Sequence, residues 1–190
     1  MRVDVDNVNV KEIDNSIQSV NNWWMEVTSK IYKQDRFIYC VEINGQVFYN
    51  EYERVILDNF QTIESINIRT KTKQESITET LSNINEYLAG FLPASSKVAD
   101  YFYGELSDNE WNQFSSFVSG LQWIIDAIRF LETLNVNSDM DLLVSNRTEI
   151  ERIIAEMDQS LQKREYVMVG DLIQYELVPV LENYKLQIQE

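Results

Sequence analysis

"RFIYCVEINGQVFY", residues 36–49, is the stretch that decides the fold. Aromatic and β-branched residues run from Phe37 to Ile43, Asn44-Gly45 supplies the positive φ angles of a two-residue turn, and Gln46 to Tyr49 returns, so the stretch reads as a β-hairpin. Phe37, Tyr39, Val41 and Ile43 fall on one side of the first strand and Ile38 and Cys40 on the other. Both sides are apolar, which predicts a central, covered strand. Cys40 then reads as a small buried hydrophobe, because the chain has no histidine to activate a thiol.

Upstream, Ile13, Ile17, Val20, Trp24, Val27 and Ile31 recur at three- and four-residue spacing, the signature of an amphipathic helix, with Asp14 or Ser16 as its N-cap. This assignment puts Trp24 on the core stripe and leaves its neighbour Trp23 off it, free to meet a partner. Before that helix, Val3, Val5, Val8 and Val10 alternate as one strand or a frayed pair. Downstream of the hairpin, Tyr52, Val55, Ile56 and Phe60 mark a short helix and "IESINIRTKT" (residues 63–72) alternates as a last strand. The order β-α-β-β-α-β is that of a ferredoxin-like or similar split βαβ sheet, with a three-stranded variant left open by the weak first strand.

Beyond residue 75 every pattern is helical. Ile77, Leu81, Ile84, Leu88, Phe91 and Leu92 form one stripe, resumed through Val98, Tyr101, Phe102 and Leu106, with Pro93 expected to kink or split the helix. "SDNE" (107–110) is a capping box that starts a helix running to about Leu134, and "NVNSD" (135–139) is the expected turn. A third helix lies within 138–163, and a fourth contains "DLIQYELVPVLE" (171–182). The predicted class is therefore α+β: a small α+β module over residues 1–75, then an antiparallel bundle of about four helices over residues 76–190.

Composition excludes more chemistry than it suggests. Sixteen basic against 31 acidic residues give a net charge of -15, which opposes nucleic-acid binding because Lys and Arg supply that affinity by displacing counterions. Residues 1–75 hold 9 basic and 12 acidic side chains and residues 76–190 hold 7 and 19, so the helical part carries -12 and would attract a basic partner. Without histidine there is no Ser-His-Asp triad, no Cys-His pair and no His-bearing zinc site. Five glycines at 45, 90, 104, 120 and 170 cannot form a phosphate loop, so no cofactor or metal is expected. One cysteine precludes an internal disulfide, and with no secretory signal and no long apolar run the expected location is the cytoplasm, with no membrane partner.

Two features invite a functional reading. On the helix that follows the capping box, Trp123, Ala127, Phe130 and Leu134 form a second apolar stripe beside the core face of Phe114, Phe117, Val118, Leu121, Ile125 and Ile128. Such a stripe packs against another part of the chain or an identical subunit, or it receives a partner, often a helix laid in a groove. In the fourth helix, at about 100° per residue, Tyr166, Val169, Ile173, Leu177, Val180 and Tyr184 share one sector and Glu176 falls close to it, between Leu172, Val169 and Val180. A carboxylate buried there needs an Arg, a Lys or a Tyr hydroxyl.

At "VEINGQVFY", "GLQWIIDAI" and "DLIQYELVPVLE" the chain resembles an uncharacterised family of bacterial proteins that join a small α+β head to a helical-bundle tail. The resemblance implies no catalytic residue. The acidic tail is also loosely similar to small export and flagellar chaperones. The expected function is a non-catalytic intracellular protein-interaction module, adaptor or chaperone-like, with an immunity-type inhibitor as a variant. Its partner would be a basic protein or an amphipathic helix, and homodimerisation is left open. The alternative is an enzyme or small-ligand binder using Glu176 and neighbouring tyrosines.

Overall fold

A computed structural model describes residues 1–134 and 140–189, with the side chains of 9, 140–144 and 189 excepted. The turn expected at 135–139 lies outside the described residues. The chain divides into two compact units, Met1–Ser76 and Ile77–Glu190.

The first unit is a five-stranded sheet with two helices. Its elements are β1 (Arg2–Val5), β2 (Val8–Glu12), α1 (Ile17–Lys33), β3 (Arg36–Ile43), β4 (Gln46–Phe48), α2 (Tyr52–Asn59) and β5 (Ser65–Thr72). The order across the sheet is β2-β1-β5-β3-β4, so the last strand sits in the middle, parallel to β1 and antiparallel to β3. This is the expected α+β order with its first strand doubled. Asp6 and Asn7 have φ of 53° and 61°, so they fold the Val3–Val10 alternation into a hairpin through a turn that Asp and Asn enter at low cost. Asn44 and Gly45, at φ 50° and 82°, close the β3–β4 hairpin as their sequence predicts.

Both helices pack on one face, where Val20, Trp23, Val27 and Ile31 of α1 and Ile56 of α2 meet Val3, Val41, Ile43, Ile66 and Ile68. Two expectations fail here. First, the pairs Ile38↔Thr70 and Cys40↔Arg69 set two residues of β3 against one of β5. This bulge changes the phase of the strand. Ile38 therefore joins Val41 and Ile43 in the core, while Tyr39 lies exposed against Tyr49 with the Lys71 amine 3.3 Å from its ring centre. Second, Trp23 is buried, at 5% exposure, and Ile17 is exposed. Val20, Trp23, Val27 and Ile31 and the predicted stripe differ by one edge of the same helical face, and spacing alone does not say over which edge the sheet lies.

β5 passes directly into α3 (Lys73–Tyr101). Thr72 and Glu75 form a capping box, the Thr72 amide donating to Glu75 at 2.7 Å and the Glu75 amide to the Thr72 hydroxyl at 3.1 Å. These bonds hold the Glu75 carboxyl below its usual pKa range. α3 runs through Pro93 without a break. Phe91 before it and Val98, Ala99 and Phe102 after it are buried in one core, which outweighs the roughly 3 kcal/mol that a proline costs inside a helix.

The remaining helices are α4 (Asp108–Thr133), α5 (Met140–Lys163), α6 (Tyr166–Asp171), a π-helical turn (Leu172–Leu177) and α7 (Val178–Gln189). The Ser107–Glu110 capping box forms as predicted. Contacts run in opposite senses along neighbouring helices: Tyr87–Trp123 and Tyr101–Gln113, Glu132–Arg147 and Arg129–Glu151, Asn146–Gln187 and Arg152–Glu176. The bundle is thus antiparallel, with Gly170 against Ala99 and Phe102 completing the circuit.

In the π-helical turn the Val178 amide donates to the Ile173 carbonyl, five residues back. Pro179 follows and offers no N–H to Tyr175, four residues before it. The widened turn inserts a residue into the helical phase. Leu181 is consequently buried where Val180 was expected, and Val180 is only half-buried.

Candidate interaction site

α4 is apolar on two sides. Phe114, Phe117, Leu121, Ile124, Ile128 and Leu131 face the bundle core. On the second stripe Ala127 and Leu134 are partly buried, but Trp123 and Phe130 remain 41% and 42% exposed. Packing within the chain therefore covers the small members of the stripe and leaves its two large rings partly in water.

The neighbouring wall is α3. Tyr87, itself 38% exposed, lies with its ring centre 4.7 Å from that of Trp123 and stacks on Phe91 at 5.4 Å. Phe91 stacks almost parallel on Phe117 at 5.2 Å. Gly120 makes this possible, because a Cβ there would run into the Tyr87 hydroxyl and the Phe91 ring. The result is a groove between α3 and α4 of about 340 Å³, floored by Phe91 and Phe117 and walled by Ala94, Lys97, Val98 and Ser116. The Tyr101 hydroxyl donates to Gln113 Oε1 at 2.5 Å and ties the two walls together at one end. The Tyr87–Trp123 pair does so at the other, where the exposed stripe continues the apolar surface.

The electrostatics of this surface are unusual for so acidic a unit. No charged residue occurs from 87 to 96 or from 111 to 125, and Lys97 is the only basic residue between Lys73 and Arg129. Sequence reasoning named Trp123, Phe130 and Leu134 but missed Tyr87 and the groove itself. These two charge-free runs, with a glycine in the middle of the second, were the legible signal.

The other candidates lie elsewhere. Glu176 is not buried: its side chain is 44% exposed and accepts from Arg152 at 2.6 Å. Arg152 also donates to Glu149 at 2.8 Å and pairs with Glu156 at 2.5 Å. Of the three expected partner types an arginine is present, but the carboxylate lies at the edge of the apolar sector, within the π-helical turn, and is not buried in it. Its hydrogen-bond partner is this guanidinium rather than a tyrosine hydroxyl. Tyr103, on the connection after α3, donates to Asp171 at 2.8 Å, and that bond pushes its hydroxyl up to about 12. Cys40 is buried, and desolvation pushes its thiol up, away from a reactive thiolate.

Among the described residues no group of three or more Cys, Asp or Glu is placed to hold a metal ion, and no helix is long and apolar enough to cross a membrane. No curated protein and no solved structure matches the chain. Residues 79–187, more than half of the chain and all within the helical unit that carries the groove, match the model of a family described as a domain of unknown function (DUF8042), and the chain belongs to that family.

Proposed function

We propose that this chain is a non-catalytic protein-interaction module, adaptor or chaperone-like, working in the bacterial cytoplasm and binding its partner through the aromatic face of α3 and α4. The observation that carries the proposal is the continuous surface of Tyr87, Trp123 and Phe130, each about 40% exposed, leading into a mostly apolar groove edged by Lys97. Large rings left in water at adjacent positions cost roughly 25 cal/mol per Å² of apolar area, which a partner would recover. The partner class is a protein that is basic or offers an amphipathic helix, since the surrounding unit has a net charge of -12. Against the small-ligand alternative built on Glu176 weighs the engagement of that carboxylate by Arg152, which leaves it neither desolvated nor free to act as a base.

Affinity-tagged wild type and a Trp123→Ala/Phe130→Ala double variant, compared in the native cell at matched expression, test this. The wild type should retain a stoichiometric partner that the double variant loses while keeping its melting temperature to within a few degrees. A partner held equally by both proteins overturns the assignment of this face.

A further inference from the structure

We infer that the cleft between α1 and α2 binds a small organic cation about 10 Å long, an ammonium group with an apolar ring or chain behind it. The site belongs to the first unit and does not depend on the protein-binding reading of α3 and α4.

The strand directions orient the cleft. β2 and β3 run one way, β4 and β5 the other. A helix joining two strands of one direction returns against them, so α1, between β2 and β3, is antiparallel to α2, between β4 and β5. The Trp24 and Tyr52 rings meet at 5.8 Å, which places Trp24 at the start of α2 and leaves Ile17 opposite its end. Each helix turns an i, i+4, i+7 row into the cleft: Ile17, Asn21 and Trp24 from α1, Glu53, Leu57 and Phe60 from α2. Each row spans seven residues, about 10 Å at 1.5 Å per residue. The volume of about 240 Å³, over the buried Val20 and Ile56, suits one ring or a short chain.

The two ends differ in chemistry. The Glu53 carboxylate lies at the Trp24 end, with Asn21 one turn from the indole. Asn21 gives its amide N–H to the Met25 sulfur at 3.7 Å, which leaves its carbonyl oxygen as an acceptor. A carboxylate, a carbonyl oxygen and an aromatic ring share one preference, a cation that donates hydrogen bonds. None of the lining residues is basic, and the neighbouring Arg54 pairs with Asp58 at 3.7 Å. At the other end Ile17, Leu57 and Phe60 offer apolar surface, and Ile17 and Leu57 are exposed. An anion would meet Glu53 with like charge, and a neutral apolar molecule would desolvate that carboxylate without return. A protonated amine with an apolar body satisfies both ends.

Titration of the isotope-labelled full chain with phenylbutylamine, followed at the Trp24 indole N–H, tests the inference against two matched compounds, neutral phenylbutanol and anionic phenylbutyrate. The amine should shift that resonance saturably and bind roughly tenfold more tightly than the alcohol, with the acid weaker still. Glu53→Gln should bring the amine down to the affinity of the alcohol and leave the alcohol unchanged. Leu57→Arg should abolish amine binding, because it lays a tethered cation in the cleft. Both positions are exposed, so both variants should keep the wild-type spectrum elsewhere. If Leu57→Arg disturbs the fold, Glu53→Gln alone decides. Equal affinity for the three compounds, no saturable shift at Trp24, or amine binding indifferent to Glu53→Gln overturns the inference.

Discussion

α4 shares one seam with α5 and another with α3, and the two are built from opposite materials. Along the first, Arg129 bridges Asp126 and Glu151, and Arg147 bridges Glu132 and Glu151, at 2.7 to 3.4 Å. Along the second, Tyr87, Phe91, Phe117 and Trp123 meet ring to ring. A seam edged by ion pairs is finished: its polar groups face water and its apolar groups lie inside. A seam whose edge is half-exposed aromatic rings has spare apolar area, and that contrast within one helix is why the proposed partner is assigned to the α3 side.

The contrast can be broken most forcefully at Phe117. It is buried against both Phe91 and Phe114, so Phe117→Ala should cost about 3–5 kcal/mol in urea unfolding. A cost below about 1 kcal/mol would mean that the ring seam is loose. On the opposite seam, Arg147→Ala should cost only about 1–2 kcal/mol, between the values for surface and buried pairs, since Arg147 and Glu132 are each 20% exposed. The Arg147 loss should shrink at 1 M salt and the Phe117 loss should not. Equal salt dependence would dissolve the distinction.

A third substitution tests the core that both seams enclose. The Tyr184 hydroxyl is fully buried with no hydrogen-bond partner, so Tyr184→Phe should leave stability unchanged or raise it by about 1 kcal/mol. A loss of more than 1 kcal/mol would point to a bound water there. Burial also raises the Tyr184 pKa above its ordinary value of 10.0, and the bond to Asp171 raises that of Tyr103 to about 12. In both cases the folded state binds its proton more tightly than the unfolded state. Below pH 10 neither group makes stability depend on pH, and the fold loses stability as pH climbs toward 12 and beyond, where the unfolded tyrosines ionise and the folded ones resist. Tyr103→Phe and Tyr184→Phe should each flatten that alkaline fall in melting temperature. The smallest effect is expected at Glu176→Gln, because that carboxylate is 44% exposed and Arg152 keeps Glu149 and Glu156. A melting temperature near wild type is the expected result. A fall of many degrees would mean that the Arg152 cluster is a structural keystone.

Much of this molecule is legible in its residues. The Asn44-Gly45 turn, the Ser107–Glu110 capping box and the change from two-residue to helical period near residue 75 are local signals, and each corresponds to an element of the structure. The Asp6-Asn7 turn and the Thr72–Glu75 box are equally local and were readable. Of the proposed interaction surface, the Trp123–Phe130 stripe was legible as a surplus of apolar positions on one helix. Its exposure was not, because spacing shows that a face is apolar without showing what covers it.

What the sequence determined by itself is the local bonding and the chemistry ruled out: two periodicities, their caps and turns, a strongly acidic tail, and no histidine for the commonest catalytic devices. Only the tertiary structure decided the middle position of β5, the phase slips at Tyr39 and at the π-helical turn, the burial of Trp23 and the half-exposure of Glu176. Each of these depends on which surface lies opposite. A single extra residue in a bulge or a wide turn rotates every side chain beyond it, and that rotation is settled by the fit between elements far apart in the chain.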